Sequence, residues 1–508
     1  MKKTLGFLLT LLVAVSCNLE QYPTSAVVYK EGARIIATRD DLLAFDAGIM
    51  YFYRAVHGGG QNVAEDVMFD AFNASAGFGN NYGSVHRLDD SFTTSDGYVE
   101  SYWENHYIVI KNYNVLIDAL DEEQNIPEGS AALAKIVQGE AYFFRAEAYL
   151  NLVRHFSPDY DPDKDSEYGV PIVLHYDLDE RPARKSVHEV YAQIKADLDS
   201  AAVRLADVEG ELQADYPTID AVNALYARYY LDVEDFDNAA ASADAVISTK
   251  LYTLSNDAKT FKAEFVEDAG TEAIMQLYGS KAELPNTITA YTGLYSSLEH
   301  DIAARPLFIP SKKLADAYEA TDIRKAWLST NDYYCDINGN YYRGDFDIFV
   351  KYLGNPALYS NVPNGAQMEK PYMISEMYLI KAEAQARNNK VPAAKTTINV
   401  LQSMRGATNT TGSLKNIQNE WFRETVGDGM RLSCLKRWAA DAIKNGTDFP
   451  DLTREGQAGA LNVNAIMTGP LYDERPMDQN DIHFVWPVPA SQIRLNSNLT
   501  QYPAYTNN

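Results

Sequence analysis

Histidine, aspartate, glutamate and cysteine could support acid–base, metal or nucleophilic chemistry, but their spacing in this 508-residue sequence assembles none of the known arrangements. The eight histidines, His57, His86, His106, His155, His175, His188, His300 and His483, stand singly. There is no HExxH helix for zinc, no GxSxG elbow and no Walker loop. Gly77 to Gly83 is glycine-rich but lacks the flanking strand, helix and acidic residue of a dinucleotide site. Asp159, Asp161, Asp163 and Asp165 alternate as calcium-loop ligands do, since hard cations take several carboxylate oxygens. The sharp-turn glycine is replaced by Lys164 or Ser166 and the twelfth-position Glu is missing, so the stretch reads as a solvated acidic loop. Paired carboxylates could hydrolyse a glycosidic bond, yet with 70 acids a pair assigns nothing by itself. No catalytic residue, metal or cofactor is expected.

Binding is the better-supplied chemistry. The chain carries 35 Tyr and 19 Phe but only 5 Trp, and tyrosine suits wet, polar recognition surfaces. A formal charge of −26 argues against nucleic acid, whose recognition draws on Lys and Arg that release counterions.

The elements that must position such residues begin after a targeting segment. Lys2 and Lys3 form a positive start, Leu5 to Val15 an apolar stretch too short to span a bilayer, and Ser16 precedes Cys17. The run Leu12-Val13-Ala14-Val15-Ser16-Cys17 resembles the bacterial lipobox, so residues 1–16 are expected to be removed and Cys17 acylated. Cleavage there deletes two lysines and no acid, leaving a charge of −28. Residues 17–28, with Pro23 forbidding helix, read as a lipidated tether, and 29–508 as a single body. Of the later cysteines, Cys335 and Cys434, neither spacing nor neighbours specify a pairing.

Helical periodicity dominates that body. Trp103, Tyr107, Ile110, Tyr113, Leu116 and Ile117 recur at helical spacing over Tyr102–Leu120, and the pattern returns over Ala131–Phe156. Further helices are predicted near Arg39–Tyr53 and over Val187–Leu205, Ile219–Asp232, Phe236–Ser248, Glu376–Arg387, Pro392–Met404 and Asn416–Ala440. Ala221, Ala224 and Ala227 face Phe236, Ala239, Ala240 and Ala243 across a short turn. Ala382, Ala384 and Ala386 precede Val391, Ala394 and Ile398 in the same way. Small residues at close-approach positions are the mark of tetratricopeptide-like pairs, here too widely separated for a continuous solenoid. Between them lie long stretches rich in Gly, Asn, Asp and Tyr, at 58–100, 251–303 and 330–367.

Ordered sequence blocks then carry a resemblance. Cys17 to Val27 looks like a lipidated start with a Pro-Thr-Ser turn; Trp103, Tyr107, Ile110 and Asn114 match W-x3-Y-x2-I-x3-N; Gly139 to Ala146 matches G-E-A-x-F-x-R-A. Tyr168 to Val173, followed by Arg184, Ser186, Val187, Tyr191, Ile194, Asp197 and Leu198, is similar to a G-V-P-I/L-V segment and its sequel. Thr321 to Arg324, Glu376 to Ala384, Gly427 to Trp438 and the tail from Trp486 to Gln501 continue the match. Together these blocks resemble the SusD/RagB family of nutrient-uptake lipoproteins across nearly the whole mature chain. Departures are Cys434 for Asp, Gln492 for Glu, Ser497 for Pro and Tyr502 for Asn.

The resemblance implies an all-α, SusD-like fold with about four tetratricopeptide-like helix pairs flanking a loop-rich ligand-binding face. It implies a non-enzymatic protein, lipid-anchored on the exterior of the outer membrane and used in polysaccharide utilisation. Its partner would be a SusC-like, TonB-dependent barrel transporter, over which it acts as a lid. The motif residues would carry the fold and the variable loops the ligand, an oligosaccharide or, on the RagB side, a peptide. Sugar rings have apolar faces and polar rims, so a glycan site needs aromatic planes beside polar side chains. Phe78, Asn81, Tyr82, Tyr291, Tyr295, Tyr341 and Tyr342 are the candidates. Outside this class, a surface glycosidase or a helical-repeat scaffold without small ligand are the competing readings.

Overall fold

Eight of the fifteen helices among the described residues begin at a side chain that caps free backbone amides. The computed structural model describes residues 35–88, 91–177, 179–283, 285, 287–337, 339–344, 346–452 and 477–506. The expected signal segment, Cys17 and the tether lie outside the described residues. The helices are α1 (Arg39–Val56), α2 (Gly60–Val67), α3 (Gly83–Arg87), α4 (Gly97–Asp121), α5 (Ala131–Phe156), α6 (Val187–Leu205), α7 (Ile219–Asp232), α8 (Phe236–Thr249), α9 (Ala258–Phe265), α10 (Lys312–Asp316), α11 (Ile374–Arg387), α12 (Val391–Arg405), α13 (Leu414–Glu424), α14 (Arg431–Asn445) and the short α15 (Ala490–Leu495). At α6 the Ser186 hydroxyl accepts from the Glu189 amide at 3.2 Å while the Glu189 carboxylate accepts from the Ser186 amide at 2.9 Å. Thr38 and Asp41 form the same box at α1. α12 stops at Gly406, where φ is +71° and a Cβ would lie 2.3 Å from the Thr321 carbonyl oxygen.

The mostly α class follows as expected. Ala221, Ala224, Ala227, Ala239 and Ala243 are fully buried, so α7 and α8 approach as a tight hairpin. Ala382, Ala384, Ala394 and Ile398 do the same for α11 and α12, and α8 packs on α11 to join the two pairs. Ala386 is only partly buried. α4, α5 and α6 form a further packed layer, and one continuous core includes residues from Ile36 to Leu499.

The structure corrects two expectations. Asn416–Ala440 is not one helix but α13 and α14 meeting at a corner, because Gly427 and Gly429 adopt φ of +87° and +68°. The stretches 58–100 and 251–303 are less irregular than their composition suggests, since they hold α2, α3 and α9. Strands are short: three two-stranded ribbons and one four-stranded sheet among the described residues. No described helix is long and apolar enough to cross a membrane.

Residues of the sequence blocks tie distant segments together. Arg145 in α5 grips Asp197 in α6 through two bonds of 2.6 and 2.9 Å and also donates to Asn114 at 2.8 Å. The Gln501 carboxamide both donates to and accepts from the Val488 backbone. Cys335 and Cys434 remain free, buried thiols.

One such tie sets a pH dependence. Asp70, fully buried, accepts from Arg431 of α14 at 2.7 and 3.0 Å and from Lys313 of α10. Burial alone would raise its carboxyl, but Arg431 and Lys313 outweigh that and hold it down to about 2. A carboxyl depressed on folding stabilises above its unfolded value of 3.8 and loses that contribution as pH falls through the folded value. The stability gap between the wild type and Asp70→Asn should therefore shrink by about 2 kcal/mol between about pH 5 and pH 2. Urea titrations at stepped pH measure it, and a constant gap would refute the assignment.

Candidate functional site

The four-stranded sheet gathers the aromatic loops. Its strands Leu294–Ser297, Asp301–Ala304, Tyr334–Ile337 and Asn340–Tyr342 lie side by side in that order, the middle two parallel and the outer pairs antiparallel. Tyr295 pairs with Ala303, Ala303 with Tyr334, and Asp336 with Tyr341. Because side chains alternate along a strand, this register places Tyr295, Ser297, Tyr334, Asp336 and Tyr341 on one face. The opposite face carries Leu294, Ala304, Cys335, Ile337 and Tyr342, which pack with Ile309, Phe346 and Ile348 into a small second core.

Asp336 organises the polar face. It accepts from the Tyr295 hydroxyl at 2.5 Å, from Arg305 at 2.7 Å and from the Gly339 amide at 2.9 Å. Burial works against its charge, yet the Tyr295 and Arg305 bonds hold the carboxyl below its ordinary range. Burial and the same carboxylate push the Tyr295 phenol up, so it stays a neutral donor. Arg305 lies over the Tyr295 ring with its guanidinium carbon 4.3 Å from the centroid, and its side chain is 63% exposed. The Tyr341 hydroxyl stands 3.3 Å from that of Tyr295 and 3.4 Å from that of Ser297. His300 stacks on Tyr334 at 3.8 Å and meets the Tyr341 ring edge-on at 4.6 Å. The result is a half-exposed surface of flat rings whose edges carry hydroxyls, a guanidinium and a carboxylate.

Of the seven candidates, the structure joins Tyr295 and Tyr341 here. Tyr342 points to the opposite face and packs on the small core. Phe78, Asn81 and Tyr82 form a separate cluster. Phe78 and Tyr82 both approach Phe308 edge-on, and Asn81 donates to the Phe78 carbonyl at 2.7 Å. Tyr82 also stacks on Tyr98 at 4.7 Å, and burial pushes its phenol up to about 12. That loop adjoins the sheet, since a Cβ on Gly77 would lie 3.6 Å from Ile337. Tyr291 does not fit a surface platform: it is 1% exposed, stacks on Phe72 at 4.5 Å and donates to Asp66 at 3.2 Å inside the main core.

Sequence reasoning missed His300, Arg305, Tyr334 and Asp336. The Asn338-Gly339 pair was the available signal, because this dipeptide between alternating residues marks a tight hairpin and fixes which side chains share a face. Among the described residues no group of three or more His, Cys, Asp or Glu is arranged to hold a metal. The alternating acids are otherwise engaged: Asp161 and Asp163 bind Lys444 at 3.0 and 2.9 Å, and Asp165 accepts from the Ser166 and His188 amides.

Residues 41–231 match a family model described as SusD-like, starch-binding and associating with the outer membrane, and residues 311–505 match the SusD family model. The chain belongs to the SusD/RagB family. Solved structures agree on the fold. A SusD superfamily protein from Bacteroides thetaiotaomicron superposes with a TM-score of 0.74 at 21% identity, covering 92% of this chain and 100% of its own. A SusD-like carbohydrate binding protein from Bacteroides vulgatus gives 0.72 at 19% identity over 93% and 100%. A laminarin binding SusD-like protein gives 0.68 at 19% over 92% and 100%. No curated protein matches the chain. The SusD-family motif residues are structural here: Trp103 is 3% exposed and packs edge-on against Phe156 at 4.8 Å, and Arg324 is fully buried between Asp322 and Glu420.

Proposed function

We propose that this protein captures a glycan at the cell surface, on the sheet face formed by Tyr295, Tyr334 and Tyr341, and passes it on without cleaving it. The observation that carries the reading is that face itself, where ring planes and polar groups alternate at the spacing of neighbouring strands. Pyranose C–H faces stack on such rings while sugar hydroxyls reach Arg305 and the phenols, which the buried Asp336 holds in place. The family's description as starch-binding and the laminarin-binding and carbohydrate-binding relatives support a saccharide ligand. The lipobox-like start supports acylation at Cys17, which would hold residues 29–508 on the outer membrane as one body. Membership of the family supports a SusC-like, TonB-dependent barrel as the acceptor of the captured glycan.

The test is binding of the full-length chain, kept in mild detergent, to polysaccharides, oligosaccharides and peptide mixtures, with products assayed alongside. Saccharide binding without cleavage is expected, weakened about tenfold, or about 1.4 kcal/mol, by Tyr295→Ala or by Tyr341→Ala. Binding of peptides alone would transfer the reading to a peptide carrier, and a cleaved product would end the non-enzymatic one. Co-purification with a barrel protein tests the transport partnership.

A further inference from the structure

Residues of α2, α5, α7, α11, the α13–α14 corner and the segment Gln367–Pro371 line a partly open cavity of about 140 Å³. Six acids line it; four lie beside an arginine or lysine and a fifth beside a histidine. Glu376 and Glu147 lie 2.6 and 3.4 Å from Arg228, and Glu424 lies 2.6 Å from Arg405. Asp428 is 2.8 Å from Lys351, and Glu65 is 3.0 Å from His155. Glu369 is the exception. Both its carboxyl oxygens are shielded from solvent, and neither has a hydrogen-bond partner among the described residues. Its neighbour Lys370 turns away to Asp268 at 2.6 Å and to the Met368 carbonyl at 2.9 Å.

The surroundings are built to receive that carboxyl. It rests against Gly58, at φ +70°, where a Cβ would fall 1.8 Å from Glu369 Oε1. The side-chain oxygens of Gln61 and Gln367 line the same cavity and are likewise buried without a donor. Gln61 is set by its own amide, which donates to the Gly58 carbonyl at 3.3 Å. The cavity therefore presents four acceptor oxygens with no donor among the described residues. An isolated buried carboxylate is strongly unfavourable unless it takes up a proton or a cation.

We infer that the cavity binds one monovalent cation, an alkali ion or ammonium, held by Glu369 with the carboxamide oxygens of Gln61 and Gln367. One unpaired carboxylate balances one positive charge. Oxygen-only donors suit a hard cation, and equally the N–H groups of ammonium. A divalent ion would call for the larger carboxylate or histidine groups that the described residues lack. The volume leaves room for water to complete the shell. His57 and His155 also face the cavity. Burial lowers His57, which lies 3.5 Å from Glu147, and His155 is committed to Glu65.

Thermal unfolding of the full-length chain in sodium, potassium and ammonium chlorides, against choline chloride at equal ionic strength, tests this. At least one of the small cations should raise the midpoint by about 1–3 °C over choline, and Glu369→Gln should erase the difference. Titration calorimetry of the wild type with the same salts should show one site that takes a small cation and not choline. That readout decides the matter even where Glu369→Gln fails to fold. Four salts acting alike, selectivity retained in a folded Glu369→Gln, or no small-cation binding by calorimetry would each overturn the inference. None of these readouts involves a glycan, so they stand apart from the surface reading.

Discussion

Replacing Arg405 with Met should destabilise the fold by about 3–5 kcal/mol, read as a lower urea midpoint at an unchanged slope. Arg405 is fully buried at the end of α12 and donates to Glu272 at 2.7 and 2.8 Å, to Glu424 at 2.6 and 3.2 Å, and to the Ser255 carbonyl at 2.8 Å. Both carboxylates are out of water. Burial would raise Glu424, but Arg405 first and Arg324 second hold it down to about 2. Methionine fills much of the volume yet leaves Glu272 as a buried charge without its guanidinium, and that orphaned charge is the main cost. Adding Glu272→Gln to Arg405→Met should accordingly recover about 1–2 kcal/mol, because the uncompensated charge goes with it. Arg405→Lys should recover little, since an ammonium cannot reproduce the fork that reaches two carboxylates at once. A loss below about 1 kcal/mol in the single variant would show that the network adds nothing net to stability.

How far this molecule could be read from its sequence depends on whether a feature is local. The helices of the scaffold were legible because a 3.6-residue apolar period and alanines at contact positions report on one element and its immediate neighbour. Ala131–Phe156 and Val187–Leu205 form as their periodicity predicts. The α13–α14 corner falls at Gly427-Asp428-Gly429, a break signal between two apolar-periodic segments that the periodicity alone joins into one helix, and the two glycines take a left-handed path there. The ligand face was only half legible. Tyr341 and Tyr342 are chemically identical, and the hairpin register alone turns one outward and the other into the small core. Tyr291 is claimed by Asp66, which is 225 residues away in the chain. His300, Arg305 and Asp336 meet because Asp301–Ala304 and Tyr334–Ile337 pair in parallel, a contact no local pattern encodes. The interior carboxyl of Glu369 was equally hidden, since its isolation depends on Lys370 being turned toward Asp268.

Trp438→Ala should cost about 3–5 kcal/mol, chiefly through lost packing, although Arg431 and Arg437 also lie over the ring at 5.8 and 5.9 Å. The indole is fully buried in α14, among the largest side chains of the core, and its Nε1 donates to Glu383 of α11 at 2.9 Å. Truncation removes the transfer free energy of the ring and opens a void in the core beside Glu383 of α11. Glu383 keeps its two bonds of 2.9 Å from Arg437 but loses the indole, and that share is isolated by Trp438→Phe, expected at about 1–2 kcal/mol. The Glu383 carboxyl is held below its ordinary range, with Arg437 first among the groups that overcome the effect of burial, so it stays charged in either variant. Neither α11 nor α14 contributes a side chain to the Tyr295–Tyr341 face, so the folded fraction of Trp438→Ala should bind glycan with wild-type affinity. Tyr295→Ala should do the reverse, keeping the unfolding free energy within about 0.5–1 kcal/mol while weakening the ligand about tenfold. Equal loss of both properties in both variants would mean that the scaffold and the binding face are one cooperative unit, and that the rings of the sheet cannot be assigned to recognition by substitution alone.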